Sequence, residues 1–256
     1  MTSIDVDSLR DKVKEMYKAV AEEPQGTFHF EMGYDLAARL GYPTRDLDEV
    51  PSEAIESFAG VGHHLGLADL QVGDRVVDLG SGSGMDAFLA ARRVGDAGEV
   101  VGVDMTDAQL AKSTGLATRD GYSNTRFEKG YIEAAPVDDA FATVVISNGV
   151  INLVNDKGAV FAEIARALQP GGRMAISDIV TEHQLTEAIV CDVNLWASCI
   201  GGAMQQDDYR AAIESAGLRI DVVQENPQYE FISDSAQGAT GTFGVKSISV
   251  LATKPG

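Results

Sequence analysis

Residues 75–91 read RVVDLGSGSGMDAFLAA, in which a short β-branched run meets three glycines at alternating positions before a helical pattern begins. Glycine has no side chain, so at Gly80, Gly82 and Gly84 the chain can turn sharply and a ligand can lie against bare backbone. The stretch therefore predicts a strand, a ligand-binding loop and a helix, in that order.

Two acidic residues flank this predicted loop. Asp78 comes just before the first glycine, and Asp104 ends the next β-branched run, which begins at Val100. In nucleotide-binding α/β folds, a carboxylate at the neighbouring strand end binds ribose hydroxyls. The spacing predicts a site for a cofactor that contains a nucleoside.

Strand and helix patterns alternate along the rest of the chain. Alternation of this kind is typical of a mostly parallel sheet with helices on both faces. The residues Thr106 to Gln109 have the pattern of a capping box that opens a helix. The predicted strands lie near residues 76–79, 100–104, 125–128, 141–147, 173–178, 218–223 and 246–252.

The part that precedes the first core strand has a different character. An amphipathic helix is predicted over residues 5–22, and residues 25–62 are rich in aromatic residues and glycine. We expect residues 1–62 to form an N-terminal helical cap or lid, and residues 63–256 to form the α/β domain.

Composition limits the classes of protein and partner. At 256 residues the chain has room for one full α/β domain. Its 39 acidic and 20 basic residues give a net charge of −19, which argues against nucleic acid as a partner. No apolar run approaches the ~20 residues of a membrane span, and the acidic N-terminus lacks signal-peptide features. We expect a cytoplasmic protein with no membrane partner.

The glycine spacing separates two classes of cofactor. A dinucleotide loop reads G-x-G-x-x-G, but here the glycines follow G-x-G-x-G and Met85 takes the place of the third one. The Asp78 carboxylate would repel a pyrophosphate, whereas it suits the amine of S-adenosylmethionine, which has no phosphate. S-adenosylmethionine is therefore favoured over NAD, and an NAD-dependent oxidoreductase is the alternative.

Residues 76–84 resemble the first motif of class I S-adenosylmethionine-dependent methyltransferases. The resemblance implies a Rossmann-like, seven-stranded, mostly parallel sheet with its last strand antiparallel. The resemblance matches Asp104 to the family's acidic residue that binds the ribose, and Met105 to the apolar residue that packs against the adenine. It matches Asn148 to the residue at the end of the fourth strand. We predict that the cofactor contacts Asp78, Gly80, Ser81, Gly82, Gly84, Asp104, Met105, Gln109, Ile132, Glu133, Asn148 and Gly149.

Four further segments resemble the arsenite methyltransferase group: residues 57–62, 102–106, 147–153 and 199–203. Cys199 falls where that group places a thiol that binds trivalent arsenic, so we predict that it contacts the acceptor. Typical members have more cysteines, whereas this chain has only Cys191 and Cys199.

The identity of the acceptor stays open between several small molecules. Trivalent arsenic is a soft centre that prefers two or three thiolates, so it can arrive carrying small-molecule thiols. Alternatively, the chain methylates oxygen, nitrogen or carbon of an organic metabolite, with His29 a candidate base, or it binds S-adenosylmethionine without turnover. His63 is a candidate for the cofactor pocket. We predict no metal site. We also predict no disulfide, because Cys191 and Cys199 are eight residues apart and would lie ~12 Å apart along a continuous helix.

Overall fold

The computed structural model describes residues 6–190, 196, 200–232 and 234–256. Its described residues form one sheet in the order β3-β2-β1-β4-β5-β8-β7, with β6 paired to β5 at one side. The strands are β1 (Arg75–Leu79), β2 (Glu99–Asp104), β3 (Thr125–Lys129), β4 (Ala142–Asn148), β5 (Leu168–Thr181), β6 (Met204–Gln205), β7 (Arg219–Glu225) and β8 (Lys246–Thr253).

The pairing confirms the predicted topology. Strands β1 to β5 run parallel to one another, and β8 lies antiparallel between β5 and β7. The two-residue strand β6, which pairs with the end of β5, was not predicted.

Helices cover both faces of the sheet, as predicted. Alternate residues of a strand point to opposite faces, and accordingly Val76 packs with Phe88 of one core cluster while Val77 packs with Phe161 of another. The helices are α1 (Val6–Glu22), α2 (Tyr34–Arg39), α3 (Thr44–Leu47), α4 (Ser52–Glu56), α5 (Leu65–Ala68), α6 (Met85–Val94), α7 (Asp107–Asp120), α8 (Lys157–Ala167), α9 (Glu187–Val190), α10 (Gln206–Ser215) and α11 (Asp234–Phe243), with a 3₁₀ turn at Ile151–Leu153.

In the C-terminal half, one expectation from the sequence was wrong and one helix was not predicted. Strand β5 begins at Leu168 and not at residue 173, because the Pro-Gly-Gly stretch forms an irregularity within the strand and does not precede it. The pairing with β4 shifts register there, since Ala142 pairs with Leu168 but Val144 pairs with Arg173. Helix α11 was missed, since its sequence DSAQGATGTF contains glycine and threonine, which have low helix propensity.

The order of the strands determines where in the sheet a ligand site is expected. Strands β2 and β4 lie on opposite sides of β1, so the connections diverge at the carboxyl ends of β1 and β4. In open α/β sheets, ligands bind in the crevice at such a switch point. The glycine loop follows β1 there, and Asp104 ends the adjacent strand β2. None of the helices in the described ranges is long and apolar enough to cross a bilayer.

A buried hydrogen bond beneath this sheet edge is expected to contribute strongly to stability. The Tyr209 hydroxyl donates to Asp178 Oδ2 at 2.8 Å, both residues are buried, and burial raises the pKa of Asp178. Tyr209→Phe removes a donor from a buried carboxylate, so we expect a loss of about 2 kcal/mol of unfolding free energy in urea. Tyr34→Phe is the control, because its hydroxyl bonds to Asp48 at the surface, and it should cost less than about 0.5 kcal/mol. Equal losses would contradict this account.

Candidate functional site

A cavity of about 330 Å³ opens at the carboxyl ends of the strands. Small-molecule sites have volumes of this order. Its walls come from α1, from residues 57–60 after α4, from the glycine loop, and from the segments that follow β2, β3 and β4. The cavity thus lies where the sequence predicted the cofactor.

The glycine loop needs bare backbone for two different reasons. Gly80, Gly82 and Gly84 all have positive φ, at +76°, +53° and +97°. A Cβ on Gly80 would lie 2.4 Å from Val150 Cγ2, and one on Gly84 would lie 2.8 Å from the Phe88 ring. A Cβ on Gly82 would meet nothing closer than 3.8 Å. Gly80 and Gly84 are therefore fixed by packing, and Gly82 leaves open space beside the cavity.

Asp104 joins the end of β2 to this loop. Its Oδ2 accepts a hydrogen bond from the Gly82 amide at 3.0 Å, and its Oδ1 accepts one from the Thr106 amide at 2.8 Å. Burial raises the pKa of Asp104, and these backbone donors oppose the rise. The carboxylate lines the cavity, so it both shapes the loop and faces the ligand space.

Asp78 is a buried carboxylate that the protein leaves incompletely paired. It is only 3% exposed, and neither its Oδ2 nor the Ser81 hydroxyl has a hydrogen-bond partner within the described part of the chain. Burial raises the pKa of Asp78 well above its usual value, and the nearby carboxylates of Asp86 and Asp104 raise it further. An ionised carboxylate without a partner is costly inside a protein, so this wall suits a cationic ligand. The ammonium and sulfonium of S-adenosylmethionine fit it.

A second polar group on the wall was missed by the sequence analysis. Asp86, on the first turn of α6, accepts a hydrogen bond from the Tyr42 hydroxyl at 2.6 Å and one from Asn148 Nδ2 at 3.2 Å. The Asn148 Oδ1 accepts from the Val61 amide at 2.8 Å. Asp86 and Asn148 line the cavity. The only sequence signal was an acid beside the apolar residues that begin helix α6, and nothing pointed to Tyr42.

Most of the predicted cofactor residues meet around the cavity. Gly149 does not line it: the Gly149 amide donates to the Ser177 carbonyl at 2.8 Å, behind the wall. His63 also lies elsewhere, in a separate pocket beside Asn226. The predicted acceptor residue Cys199 lies outside the described residues, as does Cys191. The predicted residues that line the cavity are Asp78, Gly80, Ser81, Gly82, Gly84, Asp104, Met105, Gln109, Ile132, Glu133 and Asn148.

The predicted capping box is wrong in its side-chain contacts. Helix α7 does begin at Asp107, but Thr106 makes no side-chain capping bond. The Gln109 side chain instead accepts a hydrogen bond from the Ser83 hydroxyl at 2.5 Å and donates one to the Tyr17 carbonyl at 2.9 Å. Gln109 is only 1% exposed, so these buried partners replace the backbone amide that a surface capping residue would bind.

Helix α1 closes one side of the cavity. Leu9, Val13 and Tyr17 supply an apolar wall. In the N-terminal part of the same helix, Arg10 Nη2 donates to Glu133 Oε1 at 3.0 Å, and its guanidinium lies 4.6 Å from the centre of the Tyr131 ring. Helix α1 thus reaches Glu133, one of the residues predicted to contact the cofactor. The boundary of the cap at residue 62 stays a prediction.

Comparisons with known proteins identify the family of the chain. A family model described as a methyltransferase domain matches residues 70–217. An arsenite methyltransferase of Halobacterium salinarum is 34% identical, covering 98% of this chain and 68% of that protein. Those of Aquipseudomonas alcaligenes and Homo sapiens are 39% and 36% identical over 64% and 56% of this chain. The chain spans 49% and 40% of the lengths of these last two relatives.

Solved structures with similar folds indicate the same family. The arsenic(III) S-adenosylmethionine methyltransferase of Chlamydomonas reinhardtii superposes with a TM-score of 0.68 at 32% identity, covering 88% of this chain and 75% of that one. A geranyl diphosphate methyltransferase shares the fold at 18% identity, with a TM-score of 0.68 and coverage of 96% and 99% of the two chains. The chain therefore belongs to the class I S-adenosylmethionine-dependent methyltransferases, in the arsenite methyltransferase group.

Proposed function

We propose that this chain transfers a methyl group from S-adenosylmethionine to trivalent arsenic in the cavity beside the glycine loop. The strongest support is the buried carboxylate of Asp78, which lies next to bare backbone at Gly80–Gly84 and whose Oδ2 has no hydrogen-bond partner among the residues that the structure describes. The names of the relatives that match nearly the whole chain support arsenic as the acceptor.

The cofactor would be held by three groups of residues. We assign the ribose hydroxyls to Asp104, the adenine to Met105 and Ile132 with Glu133 at its edge, and the ammonium group to Asp78 beside the loop. When bound, the cofactor supplies a methyl group already activated by the sulfonium. The protein then has mainly to hold the reacting atoms in line, which is a proximity effect and needs no catalytic triad.

The remaining wall would orient the acceptor and exclude water. Phe58, Gly60 and Asn148 line the cavity close to Asp86, and α1 covers the apolar side. We assign the acceptor contact to Cys199. Since the chain has two cysteines, at least one of three thiolates on arsenic would come from a small-molecule thiol such as glutathione.

A cytoplasmic location, where thiols stay reduced, suits this chemistry. The charge of −19 disfavours nucleic acid as a partner.

Methylation of arsenite by the purified chain tests this proposal. The chain is incubated with S-adenosylmethionine and arsenite, with and without glutathione, and methylated arsenicals are separated and quantified. We expect methylarsenical that depends on glutathione. Methyl transfer only to phenols, amines or thiols would contradict arsenic as the acceptor, and cofactor binding without any turnover would make the chain a binding protein.

Cys199→Ser is expected to lower the rate of arsenite methylation by about tenfold or more, because one soft ligand is lost, while the affinity for S-adenosylmethionine is kept. Cys191→Ser, which removes the other thiol of the chain, is the matched control and should retain most of the rate. Rates are compared at saturating cofactor. If Cys199→Ser methylates arsenite at the wild-type rate, the residue has no part in acceptor binding.

An organic acceptor is the second candidate, and one observation favours it. No cysteine is among the described residues that line the cavity, where the polar groups near Asp86 are oxygen and amide groups. Such a wall suits a hydroxyl or amine acceptor, with Asp86 placed to receive its proton. The phenols and amines of the acceptor panel test this candidate directly.

A further inference from the structure

The side chain of Gln109 joins two elements that both line the cavity. Its Oε1 accepts from the Ser83 hydroxyl, in the glycine loop, and its Nε2 donates to the Tyr17 carbonyl, in α1. Gln109 and Ser83 are 1% and 4% exposed, so water does not compete effectively for these bonds. Buried hydrogen bonds of this kind fix geometry, because leaving either partner unpaired is costly.

Helix α1 and the loop both face the space that a ligand would fill. Leu9, Val13 and Tyr17 of α1 line the cavity together with residues 80–84. A molecule in the cavity therefore touches both elements. A shift of the loop at Ser83 would also be transmitted to α1 through the side chain of Gln109.

We propose that Gln109 is a positioning residue that couples the glycine loop to α1, so that cofactor binding at the loop and seating of α1 over the cavity occur together. This inference rests on the proposed placement of the cofactor at the loop. A bound cofactor restrains the loop, the Ser83 hydroxyl then fixes the Gln109 amide, and the amide holds the backbone of α1. Closure of this kind excludes water from the reacting atoms.

Helix α7 offers a matched control for this bridge. Lys112, one turn after Gln109, also holds α1, because its Nζ donates to the Ala21 carbonyl at 3.3 Å and to the Ser57 hydroxyl at 2.8 Å. Lys112 does not line the cavity, and although its partner Ser57 does, neither of these two bonds reaches the glycine loop. Its loss should therefore loosen α1 whether or not the cofactor site is filled, whereas loss of Gln109 should remove the dependence on the ligand.

Amide hydrogen exchange of residues 6–22, with and without S-adenosylhomocysteine, measures the coupling. In the wild-type chain we expect the ligand to slow exchange in α1 by about tenfold. Gln109→Met, which keeps the volume and removes both bonds, should show almost no slowing when S-adenosylhomocysteine is saturating, with the saturating concentration set by a calorimetric titration of that variant. Lys112→Met should exchange faster in both states and keep the ligand-dependent ratio.

The possible outcomes are distinct. Full ligand-dependent slowing in Gln109→Met would overturn the coupling and leave the proposed function untouched. No binding of S-adenosylhomocysteine by the wild-type chain would contradict the placement of the cofactor and overturn both. If Gln109→Met fails to fold by circular dichroism, Ser83→Ala breaks the same bridge from its other end and should give the same loss of slowing. Wild-type slowing in that variant would likewise overturn the coupling.

Discussion

Alanine in place of Gly80 is expected to destabilise the fold by about 3 kcal/mol and to abolish measurable binding of S-adenosylmethionine. The φ angle of +76° at this position is unfavourable for any residue with a Cβ. The new Cβ would also lie 2.4 Å from Val150 Cγ2, so the loop must shift away from its present path. Urea denaturation gives the stability and isothermal titration calorimetry the binding.

Gly121→Ala separates the two causes. Gly121 has the same φ of +76°, but a Cβ there would meet nothing within 4 Å. This control should lose only about 1 kcal/mol of stability and bind the cofactor normally. Adding Val150→Ala to Gly80→Ala should recover part of the lost stability, since it removes the atoms in collision. If Gly80→Ala behaves like Gly121→Ala, close packing of the loop is not what requires glycine.

Asp104→Ala is expected to weaken binding of S-adenosylmethionine by about 100-fold, or about 2.7 kcal/mol. The substitution leaves the amides of Gly82 and Thr106 without their carboxylate acceptor, and it removes the proposed partner of the ribose. Charge-assisted hydrogen bonds are the strong ones. Calorimetric titration of both proteins with the cofactor measures the loss.

Asp107→Ala is the matched control for charge. It removes one carboxylate three residues away, whose side chain is 79% exposed and paired with Lys129 at the surface. Binding should change by less than about twofold, because exposed charges are screened. If both variants lost the same affinity, the negative field of the protein, and not the geometry of Asp104, would account for binding.

The glycine loop and the acid at the next strand end were predictable, because each is specified by residues that are adjacent in the sequence. Glycine at alternating positions after a β-branched run predicts the loop, and an acid at the end of the next run predicts Asp104. The parallel topology follows from the alternation of strands with helices. In these cases a short stretch of sequence determines both the structure and its place at the sheet edge.

The contacts that depend on tertiary packing were not predictable. Tyr42 meets Asp86 only because the segment before β1 folds back on α6, across 44 residues of sequence. Gln109 fitted a local capping pattern, yet its buried amide binds Ser83 and Tyr17, which are remote in sequence. No periodicity or motif reports such pairings, because each partner looks ordinary on its own.

A crystal structure of the protein with S-adenosylhomocysteine bound tests the central claim most directly. We expect a ribose hydroxyl within hydrogen-bond distance of the Asp104 carboxylate, with the amino-acid tail against Gly80–Gly84 and Asp78. A ligand seated elsewhere, for example in the pocket beside His63, or one with its ribose far from Asp104, would contradict it.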